Sequence, residues 1–240
     1  ADDQTKVYGE ADPKLSHVIS GLKYDDTEAS VLKGALGRED GEDVRAGGYT
    51  IHQGSLGLNN GQGSNYILEF ENGTLTVTPA SLKVTANNDG KVYGELDPTL
   101  TFKVDGLKGA DKATEALAGQ LVRQAGEDVK GGGYAIDQGT LGLTGKAAQN
   151  YILTYESGTF NITPATLMVR ADDKTKVYGE IDPTLSYQVT GFKHGEDQAT
   201  IVTGNVARQA GEDVKTGGYA IGKGCLLYTS DDADDLLCGG

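Results

Sequence analysis

The sequence predicts a mainly β protein, built as tandem small β-rich domains with one short helix per repeat. Three observations carry this. The chain repeats itself at a fixed spacing of 85 residues. Within each repeat, apolar residues alternate with polar ones, the period of a half-buried strand. Glycine, asparagine and aspartate bound the alternating runs, as turns require.

The repeat is visible first in the prolines. Pro13, Pro98 and Pro183 are 85 residues apart, and so are Pro79 and Pro164, which accounts for all 5. Lys-Val-Tyr-Gly-Glu recurs at 6–10, 91–95 and 176–180. Gly-Glu-Asp-Val recurs at 41–44, 126–129 and 211–214, and Gly-Gly-Tyr at 47–49, 132–134 and 217–219. A unit of this length exceeds the ~20–50 residues of a solenoid repeat. It suits a small independent domain, so the chain reads as a row of beads.

The elements follow in register. Leu82/Val84 and Leu167/Val169 mark the first strand of a unit. Leu100/Phe102/Val104 and Leu185/Tyr187/Val189 mark the next, with Leu15/His17/Ile19 in the same place in the first repeat. Asp111–Leu117 holds Ala, Glu and Leu without glycine, so it reads as the short helix, with 26–32 and 196–202 in register. Tyr134/Ile136, Tyr151/Leu153/Tyr155 and Phe160/Ile162 complete the strands. Glu156-Ser157-Gly158 and Glu71-Asn72-Gly73 look like hairpin turns between the last two. An immunoglobulin-like sandwich and a β-grasp-like sheet both fit this order.

Pro79-Ala80 and Pro164-Ala165 lie between a closing strand and an opening one, where a residue without an N–H ends ladder pairing. The expected domains are therefore 1–80, lacking its first strand; 81–165, complete; and 166–224, truncated. Short Pro-Ala junctions imply a stiff rod. Residues 225–240 leave the repeat, which calls for Ser or Thr and then Leu-Gly-Leu. Both cysteines, Cys225 and Cys238, lie there. The string 226–237 resembles a translated sequencing adapter, and a Cys225–Cys238 disulfide is the rival reading. With no initiator Met and no signal-peptide pattern, the chain reads as a mature form or an internal fragment.

Composition removes several classes. No apolar run approaches the ~20 residues of a membrane span. A net charge of -14 repels phosphate backbones and anionic lipid, which argues against nucleic acid and membrane surfaces as partners. The 3 histidines occupy three different repeat positions, so there is no recurring base. An enzyme is not expected, because a domain this small with short loops leaves little room for a cleft.

The ordered set Lys-Val-Tyr-Gly-Glu-x-Asp-Pro, Gly-Glu-Asp-Val, Gly-Gly-Tyr, Asn-Tyr-x-Leu and Ile-Thr-Pro-Ala resembles the MBG repeat of the YGX type, over residues 1–224. That resemblance implies a tandem module of large secreted or surface-anchored bacterial proteins, many adhesin-like. It supplies no catalytic residues. An extracellular or cell-surface location is implied with it.

Candidate binding residues are the recurring tyrosines: Tyr8, Tyr93 and Tyr178, and Tyr49, Tyr134 and Tyr219. An aromatic ring in a loop can stack on a sugar, but the plainer expectation is a ring folded over the sheet edge with its hydroxyl on backbone. Asp12-Pro13 reads as a turn in which the carboxylate accepts backbone N–H groups. Glu42-Asp43 and its copies read as a solvated turn. Asp2, Asp3, Asp172 and Asp173 are weak calcium candidates near the junctions, since calcium takes six to eight oxygens and the second repeat carries Asn87-Asn88 instead. No cofactor is otherwise expected. Lys6, Lys91 and Lys176 with Asn65 and Asn150 offer a remote isopeptide reading.

The expected function is a structural or adhesive one: a stalk spacer, or a multivalent weak binder of host glycan, mucin or another surface protein. The alternative is a carbohydrate- or mucin-binding module in its own right, which the absence of Trp weakens. A monomeric chain is expected.

Overall fold

A computed structural model describes residues 1–228. The chain is mainly β, in several small sheets with single-turn helices. In chain order the strands include β1 (Gln4–Val7), β2 (Tyr49–His52), β3 (Gly73–Thr78), β4 (Ala80–Ala86), β5 (Phe102–Asp105), β6 (Tyr134–Asp137), β7 (Tyr151–Glu156), β8 (Gly158–Thr163), β9 (Met168–Ala171) and β10 (Tyr187–Thr190), besides shorter ones and Asp89–Val92. The helices are α1 (Glu28–Val31), α2 (Ala113–Ala116), α3 (Ala147–Asn150) and α4 (Gln198–Ile201). Contacts divide the chain into two compact units: Ala1–Asp89 with Thr99–Ala125 and Tyr134–Phe160, and Gly90–Pro98 with Gly126–Gly133 and the chain from Asn161.

In the first unit, β4 is the centre of a sheet. It pairs in parallel with β7, Leu82 opposite Leu153, and antiparallel with β5, Val84 opposite Val104. Its alternation is the reason it sits there. Ala80, Leu82, Val84 and Ala86 point inward and are buried, while Ser81 and Lys83 face out. The inward row packs on Ala116, Leu117, Leu141, Ala147 and Tyr151. A second sheet places β6 against β8, Tyr134 opposite Phe160. The first repeat has the same second sheet: β3 lies between β1, parallel, and β2, antiparallel, around Tyr49, Ile51, Leu75 and Val77.

Glu156-Ser157-Gly158 does not close a hairpin. β7 belongs to the sheet of β4 and β8 to the sheet of β6, so this turn carries the chain from one sheet to the other. A side chain at Gly158 would lie 3.0 Å from the carbonyl oxygens of Ala86 and Asn87. The expected helices shrink to one turn of 4 residues. Leu32 and Leu117, the next residues, are already paired to Leu58 and Leu143 in short strands, which stops the helix. Thr27 and Asp197 cap α1 and α4 through capping boxes with Ser30 and Thr200.

The strand expected over Leu15–Ile19 does not form, and neither does a counterpart of β7 at 66–71. In the second repeat the equivalents of both pair with β4. Among the described residues, no strand pairs with them in the first.

In the second unit, β9 pairs antiparallel with β10. Packing there follows the repeat past Gly224. Leu226, in register with Leu56 and Leu141, is buried with Val202 and Val206, and Leu227–Tyr228 pairs with Val202–Thr203. Residues 229–240, with Cys238 and the Cys225–Cys238 pairing, lie outside the described residues. Among the described residues no helix is long and apolar enough to cross a membrane.

Candidate functional site: a tyrosine joint between repeats

Each recurring motif has a definite partner. Lys6, with its side chain only 3% exposed, lies 2.6 Å from Asp12 and also pairs with Glu42. Arg38 clamps the same carboxylates, at 2.6 Å to Asp12 and 2.5 Å to Glu42. The third repeat copies the arrangement: Lys176–Asp182 at 2.7 Å, Arg208–Asp182 at 2.6 Å and Arg208–Glu212 at 2.5 Å. Lys91 likewise pairs with Asp97 and Glu127. Asp12 thus neutralises two cations rather than capping backbone, and Glu42, exposed as a solvated turn requires, is also an ion-pair partner. Lys91 does meet Glu127, the carboxylate of the isopeptide reading, but Asn150 bonds Asp43 and the Val44 N–H instead of Lys91.

This cluster sets a pH response. Arg208, and then Lys176, hold the Asp182 carboxyl down from 3.8 to about 2. A lowered folded value means the pairing stabilises above pH 3.8, weakens as pH falls toward about 2 and is lost below it. A carboxyl NMR titration of Asp182 is expected to give a midpoint near 2, moving back toward 3.8 in Arg208→Gln. A wild-type midpoint at the ordinary value would remove the cluster from the account.

Two of the three Gly-Gly-Tyr tyrosines are internal, and Tyr219 is half-buried. Tyr49 and Tyr134 are buried, at 4% and 7% exposure. The Tyr49 hydroxyl donates to the Asp43 carbonyl at 2.7 Å and that of Tyr219 to Asp213 at 3.0 Å. The Arg45 guanidinium lies 4.1 Å from the Tyr49 ring centroid. These are the rings folded onto the sheet with a hydroxyl on backbone.

Tyr8 and Tyr93, of the Tyr-Gly motif, do something else: they reach into the next repeat. Tyr8 follows β1 and is held by its own N–H on the Thr78 carbonyl at 2.8 Å. Its hydroxyl donates to Asp111 Oδ2 at 3.1 Å, 103 residues away. Tyr151 donates to the same oxygen at 2.5 Å, and its own oxygen accepts from the Lys108 N–H at 2.8 Å. The two rings meet edge to face, 5.3 Å between centroids. Burial, and then Asp111, push the Tyr151 hydroxyl up to about 12. Tyr8 is raised for the same reasons. The acceptor is preformed within a repeat, because Tyr66 donates to Asp26 at 2.7 Å and accepts from the Lys23 N–H at 2.9 Å in the same way.

Asp43 completes the joint. Asn150, 2% exposed, donates to Asp43 Oδ1 and accepts from the Val44 N–H, both at 2.8 Å. Lys146 lies 3.1 Å from Asp43 Oδ2. Asn150 first, then Lys146, hold the Asp43 carboxyl below its ordinary range.

Within the second unit the contact is repeated. Tyr93 donates to Glu196 at 2.8 Å, again 103 residues on, and stacks edge to face on His194 at 5.1 Å. Tyr178, the third copy, is 67% exposed. The glycine of each motif follows the same division. A Cβ on Gly9 would sit 2.4 Å from Lys108 Cβ, and one on Gly94 2.5 Å from Lys193 Cγ, whereas Gly179 would meet nothing within 4 Å.

The calcium candidates are occupied within their own repeats. Asp2 accepts from Ser16 at 2.7 Å and Asp172 from Ser186 at 2.5 Å, while Asn87 donates to Thr101 at 2.9 Å. Asp3 accepts from the Thr74 N–H, and Asn88 from the Thr159 N–H, each at 2.8 Å. An amide serves at either place as well as a carboxylate, which explains the Asp/Asn alternation without a cation. Asp173 is exposed. Among the described residues no three His, Cys, Asp or Glu side chains gather as a metal site.

Sequence reading missed Asp111, Glu196, Lys108 and Arg38, and singled out Asn150 only for the isopeptide reading. The available signal was the acid at 26, 111 and 196, present in every copy.

The family model described as MBG domain (YGX type) matches residues 1–76, 82–161 and 167–230. The chain belongs to this family. The tyrosine and glycine of the family's own label are the pair that the structure places at the joint of successive MBG modules. No curated protein and no solved structure matches the chain.

Proposed function

We propose that this chain is an extracellular structural and adhesive stretch of a bacterial surface or secreted protein, in which docked MBG modules act as a spacer or as an array of weak sites. One observation carries the reading. Tyr8 and Tyr93 are each spent on the module that follows them, so the recurring aromatic works as a joint rather than as a sugar platform. A joint fixed by a ring, a carboxylate and a buried amide limits free swivelling between neighbours. Arrays use such order to extend a tip, or to raise effective concentration for weak contacts.

The reading assigns the chain no catalytic step, no cofactor and no nucleic-acid partner. The carbohydrate-binding alternative keeps one specific support: of the six candidate tyrosines, Tyr178 alone is exposed as a whole residue. Incubating the chain with a glycan and mucin array, with calcium and then with chelator, separates the two. The spacer reading expects no signal from the chain in either condition. Specific retention lost in Tyr178→Ala would replace it with the lectin-like one.

A further inference from the structure

The first joint gathers two tyrosine rings around one proton acceptor. Tyr8 and Tyr151 belong to different modules, yet their rings meet edge to face at 5.3 Å between centroids. Both hydroxyls donate to Asp111 Oδ2, at 3.1 and 2.5 Å. Two phenol oxygens bound to one atom hold the ring carbons beside them, the ortho positions, in the same small volume. Tyr151 is 3% exposed, and Tyr8 is half-buried against the same apolar cluster. Tyr8 therefore gives the pair its access to solvent, while Tyr151 is shielded from rings of other molecules. At the second joint the Tyr93 ring meets His194 instead.

Composition directs oxidation to tyrosine. The chain holds 12 Tyr, 1 Met and no Trp, and its 2 Cys stand at 225 and 238. A phenol gives up an electron more readily when a base takes its proton in the same step. Asp111 is that base for both rings. Burial, and then Asp111, keep both hydroxyls protonated well above neutral pH, so the hydrogen-bonded phenol is the form that meets an oxidant.

We infer that Tyr8 and Tyr151 form a site of oxidative cross-linking, which a peroxidase with hydrogen peroxide converts to a dityrosine within the chain. Each ring gives one electron to the oxidant and passes its hydroxyl proton through Asp111 to water. The two phenoxyl radicals then couple, forming one carbon–carbon bond between ortho positions. The two ring hydrogens at that bond move to the oxygens, which restores both phenols. Two electrons and two protons leave in all, and hydrogen peroxide takes them up as two molecules of water. The product is a covalent staple across the joint. It follows from the ring contact alone, whether the modules act as a spacer or as an adhesive array.

The test treats the whole chain with a peroxidase and hydrogen peroxide, and reads dityrosine fluorescence and a peptide map by mass spectrometry. The expected product joins the peptides carrying Tyr8 and Tyr151, is lighter by two hydrogen atoms, and forms at a rate independent of protein concentration. It should exceed every other tyrosine pair by roughly tenfold or more, because positioned partners react as if at high effective concentration. Tyr8→Phe and Tyr151→Phe, which keep the rings and remove the hydroxyls, are each expected to abolish it. Tyr155→Phe should leave it, since that hydroxyl bonds the Ile136 carbonyl. Asp111→Asn, which keeps both rings and removes the base, should slow it. Absence of the 8–151 bond overturns the proposal. So does its formation in equal yield from the chain unfolded in denaturant, or an equal yield of other tyrosine pairs.

Discussion

Gly9→Ala is expected to release the first joint, while Gly179→Ala leaves the chain nearly as it was. Both glycines adopt a left-handed backbone, φ +76° and +85°. Alanine in that conformation costs about 1 kcal/mol at either place. Only Gly9 adds a collision, because its Cβ would meet the Lys108 side chain at 2.4 Å. That atom is the root of the side chain rather than its mobile end, so the clash cannot be relieved by a rotamer change. The second module must move back, and Tyr8 then loses Asp111. The readout is the phenol titration of Tyr151. In the wild type it lies up at about 12. The Tyr8 ring covers it, so it should fall in Gly9→Ala and stay unchanged in Gly179→Ala. Equal effects from the two substitutions would show that the glycine serves the turn and not the joint.

Leu82→Ala is expected to destabilise the second module by about 2–5 kcal/mol, the range for emptying a fully buried leucine site. Leu82 is 0% exposed and sits on the strand that holds both β5 and β7. Among the described residues no strand pairs with 66–71 in the first module. Denaturant unfolding followed by exchange at individual amides should therefore show 66–71 opening well before 151–156 in the wild type. Leu82→Ala should bring the second segment down toward the first. A segment 66–71 as well protected as 151–156 in the unmodified chain would contradict this account of the sheet.

Both expectations depend on relations that the linear pattern contains only in part. The period-2 runs Leu82/Val84, Tyr134/Ile136 and Phe160/Ile162 placed β4, β6 and β8 correctly, because alternation reports directly which side chains face a core. The 26–32 and 111–117 segments showed helix character by composition, but their length was set by the pairing of Leu32 with Leu58 and Leu117 with Leu143. Glu156-Ser157-Gly158 looked like a hairpin since it joins two adjacent strands. Which strand each one pairs with is a three-dimensional choice, and here they join different sheets.

The sequence by itself determined the repeat, its register, the mainly β class and the family. These rest on spacing and local chemistry, which each module carries in its own residues. Only the tertiary structure decided what Tyr8, Asp43 and Gly9 are for. Their partners lie about a hundred residues away in another copy. A repeated motif looks the same whether its contacts are made inside a module or across to the next. Tyr8 and Tyr178 share the same Lys-Val-Tyr-Gly-Glu motif, yet Tyr8 bonds Asp111 and Tyr178 is exposed, and that is a property of packing rather than of the residue.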